Sequence, residues 1–226
     1  MLGILGFMAL MIAIFAPQYW VQRQMKKHAA PRSDYPGTGG EFAEHLIEYF
    51  GLSGIVVEAS DKGDHYDPES RTVRLSHDNF SKGSLTAVAV AAHEVGHALQ
   101  HHRGERGLWL RQKLVGLASI SDKIASVFFI AAPVLAIFAR TPLAFFGLVG
   151  FGIALLAIRI LVHLVTLPVE YDASFNKALP ILREGGYLHE DDIEGARSVL
   201  KAAAYTYVAG ALMSLFDLAR WIRILR

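Results

Sequence analysis

Cysteine is absent from this chain of 226 residues. That excludes disulfides and thiolate metal ligands, and it fits a reducing compartment without requiring one. Net charge is nearly absent too, at +1, so nothing here marks a nucleic-acid partner. What the chain has in excess is apolar surface. Hydrophobic residues make up 53% of it, the mean hydropathy is +0.32, and the apolar residues fall in long runs. That pattern predicts a membrane protein with one main unit interrupted by apolar segments.

The most informative stretch is Ala91-Ala92-His93-Glu94-Val95-Gly96-His97-Ala98-Leu99-Gln100, inside a helix-prone run starting near Ser84. Residues four apart share a helix face, so His93 and His97 can direct both imidazoles at one metal ion. Glu94 lies about 100° round the helix, where a carboxylate reaches a metal-bound water rather than the metal. Zinc takes imidazole and carboxylate ligands, and catalytic zinc keeps one position open. It brings the pKa of bound water to about 7, within reach of a Glu base. Ala89, Val90, Ala92 and Val95 predict a buried helix, and buried His and Glu are costly without partners. Gly96 costs about 1 kcal/mol in a helix, which predicts a close neighbour there.

Two histidines leave one ligand to find. A further His six residues on is excluded, because that residue is Arg103. His101 and His102 are off the His93/His97 face and read as solvated or supporting groups. Glu170, in Pro168-Val169-Glu170-Tyr171-Asp172-Ala173-Ser174, is the best candidate. Pro168 suits a first helical turn, which would place Glu170 near a helix start.

Leu2 to Val21 is uncharged and ends in Tyr19 and Trp20, as a retained membrane anchor over residues 1–22 would. Arg23, Lys26, Lys27 and Arg32 follow, placing that side in the cytoplasm. A turn-rich linker precedes a short amphipathic helix from Glu41 to Phe50. Ile55–Glu58 and Thr72–Leu75 read as two strands of a small β-hairpin, whose edge could receive an extended peptide. Asp64, His65 and Asp67 between them read as turn chemistry rather than a metal site.

Beyond the break at Gly104–Gly107, two uncharged arms flank Arg140-Thr141-Pro142: Ile124–Ala139 and Leu143–Ile158, sixteen residues each. Sixteen helical residues span roughly 24 Å against a bilayer core of about 30 Å. Residues 114–167 are therefore expected to form a transmembrane hairpin with the Arg140 turn outside. Asp122-Lys123 and Arg159 should then sit at similar depth. The hairpin returns Glu170 to the His93 helix, near the inner membrane face. Residues 23–113 and 168–226 are expected to form a cytoplasmic zincin-like catalytic unit. The last helix, from Ile193, carries Tyr205, Tyr207 and Asp217 and ends in Arg220, Arg223 and Arg226. Moving those arginines outward opposes the positive-inside rule, so it is expected to pack on the catalytic unit rather than cross.

With Asp64-His65-Tyr66-Asp67-Pro68, Val73-Arg74-Leu75-Ser76, the His93–His97 stretch and Leu167–Ser174 together, the chain resembles the YugP-like membrane zinc metallopeptidases. Ala204-Tyr205-Thr206-Tyr207 is similar as well. The layout also resembles, more distantly, the HtpX-type membrane gluzincins, which place a membrane hairpin between the H-E-x-x-H helix and a ligand Glu. There an Asp usually follows that Glu by four residues; here it is Ser174, which leaves the supporting shell open. The resemblance implies a peptidase acting on peptide or membrane-protein substrates.

The resulting expectation is a mainly α, membrane-embedded, zinc-dependent endopeptidase with a small β-hairpin. Zn2+ would be held by His93, His97 and Glu170, with Glu94 as base and Tyr205 or Tyr207 as candidate oxyanion donor. Two other readings are a non-enzymatic membrane scaffold around a structural zinc, and a zinc hydrolase of a non-peptide bond. His163, about two turns before Glu170, could join the supporting shell.

Overall fold

A computed structural model describes the backbone of residues 2–138 and 141–224; side chains are not described at residues 2–10, 13–14, 133, 136, 217–218 and 220–224. The Arg140 turn and the side chains of Asp217, Arg220, Arg223 and Arg226 lie outside the described residues. The helices are α1 (Leu2–Lys27), α2 (Gly39–Tyr49), α3 (His77–Ser81), α4 (Leu85–His102), α5 (Arg106–Phe138), α6 (Pro142–Tyr171), α7 (Leu179–Glu184) and α8 (Glu190–Ile224). A π-helical stretch, Asp172–Ala178, joins α6 to α7, and the strands are β1 (Val56–Ala59), β2 (His65–Asp67) and β3 (Thr72–Leu75).

Local chemistry sets several boundaries. Thr38 caps α2 in a capping box with Glu41, so the helix begins two residues earlier than its apolar face suggests. Ser84 caps α4 by accepting from the Ala87 amide at 3.1 Å. Every residue of α4 from Leu85 to Gln100 is buried. Around it pack α2, the sheet, the π-helical stretch, α7 and the first part of α8, in one core that includes Leu46, Val73, Leu75, Leu182, Val199 and Leu200.

The sheet corrects one sequence reading. β1 and β3 are not the two arms of a hairpin; they run parallel, with Val57 opposite Val73. The hairpin is made instead by β2, from the segment read as a turn, which pairs antiparallel with β3 through Tyr66 and Val73. The order is β1-β3-β2, so β2 is an edge. Only three residues long and rich in Asp and His, β2 has weak strand propensity, and pairing with β3 decides its state.

Pro168 gives a second correction. It does not open a new helix: α6 runs through it to Tyr171. Proline removes one intrahelical hydrogen bond, but packing of α6 between α5 and α8 keeps the helix intact.

α5 and α6 form the expected hairpin. Phe128 and Phe151 meet at 5.1 Å between ring centres. Asp122 and Arg159 form an ion pair of 3.2 Å across the two helices, at equal depth. The outward faces carry exposed apolar side chains such as Val127, Ile130 and Phe146. In a bilayer these would meet lipid.

Among the described residues three helical stretches are long and apolar enough to cross a membrane: Arg106–Ala132, Pro142–Glu184 and Glu190–Phe216. The third is the helix expected to stay on the catalytic unit. Its first part packs on that unit, where Ile193, Ala196, Val199 and Leu200 join the core. Its second part runs beside α6. A Cβ on Gly210 would lie 2.5 Å from the His163 ring, so glycine is what lets the two helices approach there. On the other side Tyr205 meets Trp20 of α1 at 5.8 Å.

Candidate metal centre

α4 and α6 supply the centre from opposite sides. His93 Nε2 lies 3.2 Å and His97 Nε2 3.4 Å from Glu170 Oε2. All three residues are buried, and their ligand atoms lie within 4.8 Å of one another. Gly96 allows this approach. A Cβ there would stand 3.0 Å from the carbonyl oxygen of Ala173, in the π-helical stretch. The close neighbour predicted from that glycine is thus the backbone just after Glu170.

The hydrogen-bond network fixes both imidazole tautomers. Gln100 donates its amide to the Val169 carbonyl at 3.0 Å and to Asp172 at 2.8 Å. Its Oε1 must therefore accept from His97 Nδ1–H, at 2.8 Å. Ser174 donates its hydroxyl to the Leu200 carbonyl at 3.2 Å, so its Oγ accepts from His93 Nδ1–H at 3.0 Å. With both Nδ1 atoms protonated, both Nε2 lone pairs face Glu170. Three Lewis bases then converge in a buried space, which demands a cation or a proton. Burial opposes charging His93, but the Glu170 hydrogen bond and the Glu94 charge outweigh it and hold its pKa above the ordinary value. That proton is what a metal ion would replace. Glu170 Oε1 has no aligned hydrogen-bond donor despite its burial. The donor set, two imidazoles and a carboxylate, is the one zinc accepts with a position left open.

A cavity of about 210 Å³ opens on these residues. His93, Glu94, His97 and Glu170 line it, with Asp64, His65, Arg111 and Tyr207 among the others. Glu94 is buried, with 6% of its surface exposed. Tyr207 reaches the cavity, whereas Tyr205 does not line it: 42% exposed, it lies against Trp20 with Lys201 5.3 Å from its ring. The two tyrosines are two residues apart, which on a helix puts them on different faces.

Other candidates also sort by partner. Asp64 accepts from the Ser76 amide at 2.7 Å, and Asp67 binds Arg74 at 2.8 Å. Both carboxylates therefore serve the loop. His65 contacts the Gly63 carbonyl at 3.1 Å, and it also lines the cavity. His101 pairs with the Tyr66 hydroxyl at 2.8 Å, away from the centre. His163 packs 6.2 Å from the Tyr207 ring and touches no ligand. Sequence reasoning missed Gln100 and Arg111. The first sits three residues past His97, a helix-neighbour spacing that could have flagged it. The second comes from α5, and no local pattern marks it.

No solved structure matches this chain. A relative from Bacillus subtilis (strain 168), named "Putative membrane protease YugP", is 36% identical over 224 residues, which is 96% of each chain. Residues 3–226 match the family model described as "Putative neutral zinc metallopeptidase". Near-complete coverage by that model, on a chain whose buried His93, His97 and Glu170 suit zinc, means that it belongs to this zinc metallopeptidase family.

Proposed function

We propose that the protein is a membrane-embedded endopeptidase of gluzincin type, working at the cytoplasmic face of the cell membrane. The observation that carries this reading is the convergence of His93, His97 and Glu170 in a cavity that Glu94 also lines. Three protein ligands and an adjoining cavity suit catalysis better than a closed structural site, which usually has four. Zinc held there would act as a Lewis acid on the scissile carbonyl and ease deprotonation of water.

The chain's own groups do the rest. Glu94 takes the proton from the attacking water and returns it to the leaving amine. Tyr207 faces the cavity as a hydrogen-bond donor for the developing oxyanion. The β2 edge can align an extended peptide beside the cavity by strand addition. The side is argued from charge. Arg23, Lys26, Lys27 and Arg32 follow α1, and Arg103, Arg106, Arg111 and Lys113 flank the start of α5. Those eight outnumber Arg140 and the three arginines at the end of α8, so the orientation holds even with α8 as a span.

Glu94→Gln tests the mechanism. Purified variant should keep its zinc and fold, and should cleave an unfolded model substrate at least about a thousandfold more slowly, since base and electrostatic contributions combine. Undiminished cleavage would rule the mechanism out.

A further inference from the structure

Arg111 is a half-buried cation at the edge of the membrane hairpin, with its side chain 19% exposed. Its Nη2 lies 3.0 Å from Glu170 Oε1 and donates a hydrogen bond to the Tyr207 hydroxyl at 2.9 Å. One nitrogen of α5 therefore touches both the ligand carboxylate of α6 and the cavity phenol of α8. Its Nε is buried without a partner, and the side chain lines the cavity. A guanidinium is expensive to bury unless an opposite charge faces it. Here the facing charge is the oxygen of Glu170 that does not point at the histidines.

We propose that Arg111 is the positioning residue of the centre, holding Glu170 to single-oxygen ligation and aiming the Tyr207 hydroxyl into the cavity. The proposal rests on the zinc peptidase reading above. The contact with Oε1 keeps that oxygen engaged, so Oε2 alone turns to His93 and His97. Loss of the guanidinium frees Oε1 to swing in as an additional ligand, filling the position that catalysis needs open. Tyr207 accepts from Nη2, so its own proton points elsewhere, and the adjacent positive charge makes it a stronger donor. A lysine brings the charge but not the planar fork, and it cannot reproduce both contacts.

The test uses full-length protein in detergent, loaded with Co2+ in place of zinc. Arg111→Met and Arg111→Lys are each compared with wild type. Both variants should show a weaker visible cobalt absorption, as coordination number rises when Glu170 binds through two oxygens. Zinc affinity by chelator competition should rise in Arg111→Met, which gains a metal–oxygen contact and loses the neighbouring positive charge, and should change less in Arg111→Lys, which keeps that charge. Peptidase kcat should fall in both, with KM changed little. If Arg111→Met does not fold, Arg111→Lys carries the test, because it retains the charge that Glu170 faces. Cobalt spectrum, zinc affinity and kcat all at wild-type values in Arg111→Lys would overturn the proposal. Wild-type protein that binds neither metal stoichiometrically would instead overturn the zinc peptidase reading on which it rests.

Discussion

Ser174 Oγ stands 3.0 Å from His93 Nδ1 and hands its own proton to the Leu200 carbonyl. The position four residues after the ligand Glu, an Asp in the more distant gluzincins, is here a neutral hydroxyl that still fixes the ring. Ser174→Ala should therefore weaken zinc binding by about tenfold or more, while the protein stays folded. Glu170→Ala should lose most of the zinc outright. Metal analysis of the purified variants checks both, and full zinc retention in Glu170→Ala would remove Glu170 from the ligand set.

Tyr207 and Tyr205 make a matched pair of controls. Tyr207→Phe should keep zinc and lose about 10²–10³-fold in kcat, the usual cost of removing one oxyanion donor. Tyr205→Phe should leave kcat near wild type, because its ring packs against Trp20 outside the cavity. Equal kcat values in the two variants would remove Tyr207 from the mechanism.

At Gly96 two effects oppose each other. Alanine is favoured over glycine in a helix by about 1 kcal/mol. The added Cβ would meet the Ala173 carbonyl at 3.0 Å, and backbone on both sides cannot yield easily. Overpacking of that kind costs about 1–3 kcal/mol. Gly96→Ala should therefore be destabilised by thermal unfolding and hold zinc less tightly, and Gly96→Val more so. A more stable Gly96→Ala would show that α4 and the π-helical stretch can move apart.

Single cysteines can be added cleanly to a chain that has none. A cysteine at Thr141 should react with an impermeant thiol reagent in intact cells, and one at Ser33 should not. With α8 beside α6, a cysteine appended after Arg226 should also react. The eighteen residues from Tyr207 to Ile224 rise about 26 Å, close to a bilayer core. Protection of that last cysteine would return the helix to the cytoplasmic side.

The candidate site is legible where its signal is local. His93, Glu94 and His97 follow from spacing on one helix, and the depth match of Asp122 with Arg159 follows from counting two arms about a turn. What escaped depends on pairing between distant segments. β2 has little strand propensity of its own, so its hairpin with β3 leaves no local signal in the sequence. Pro168 looked like a helix start because local chemistry permits one, and tertiary packing overrode it. Arg111 and Gln100 acquire their roles only when α5, α6 and α8 converge.

The proposed zinc ligands lie on α4 and at the end of α6, separated in the chain by α5 and most of α6. A ribosome finishes His93 and His97 long before Glu170, and on the proposed reading the third ligand returns to them through the pairing of α5 with α6. On that reading, activity would depend on the α5–α6 hairpin bringing α6 back against α4.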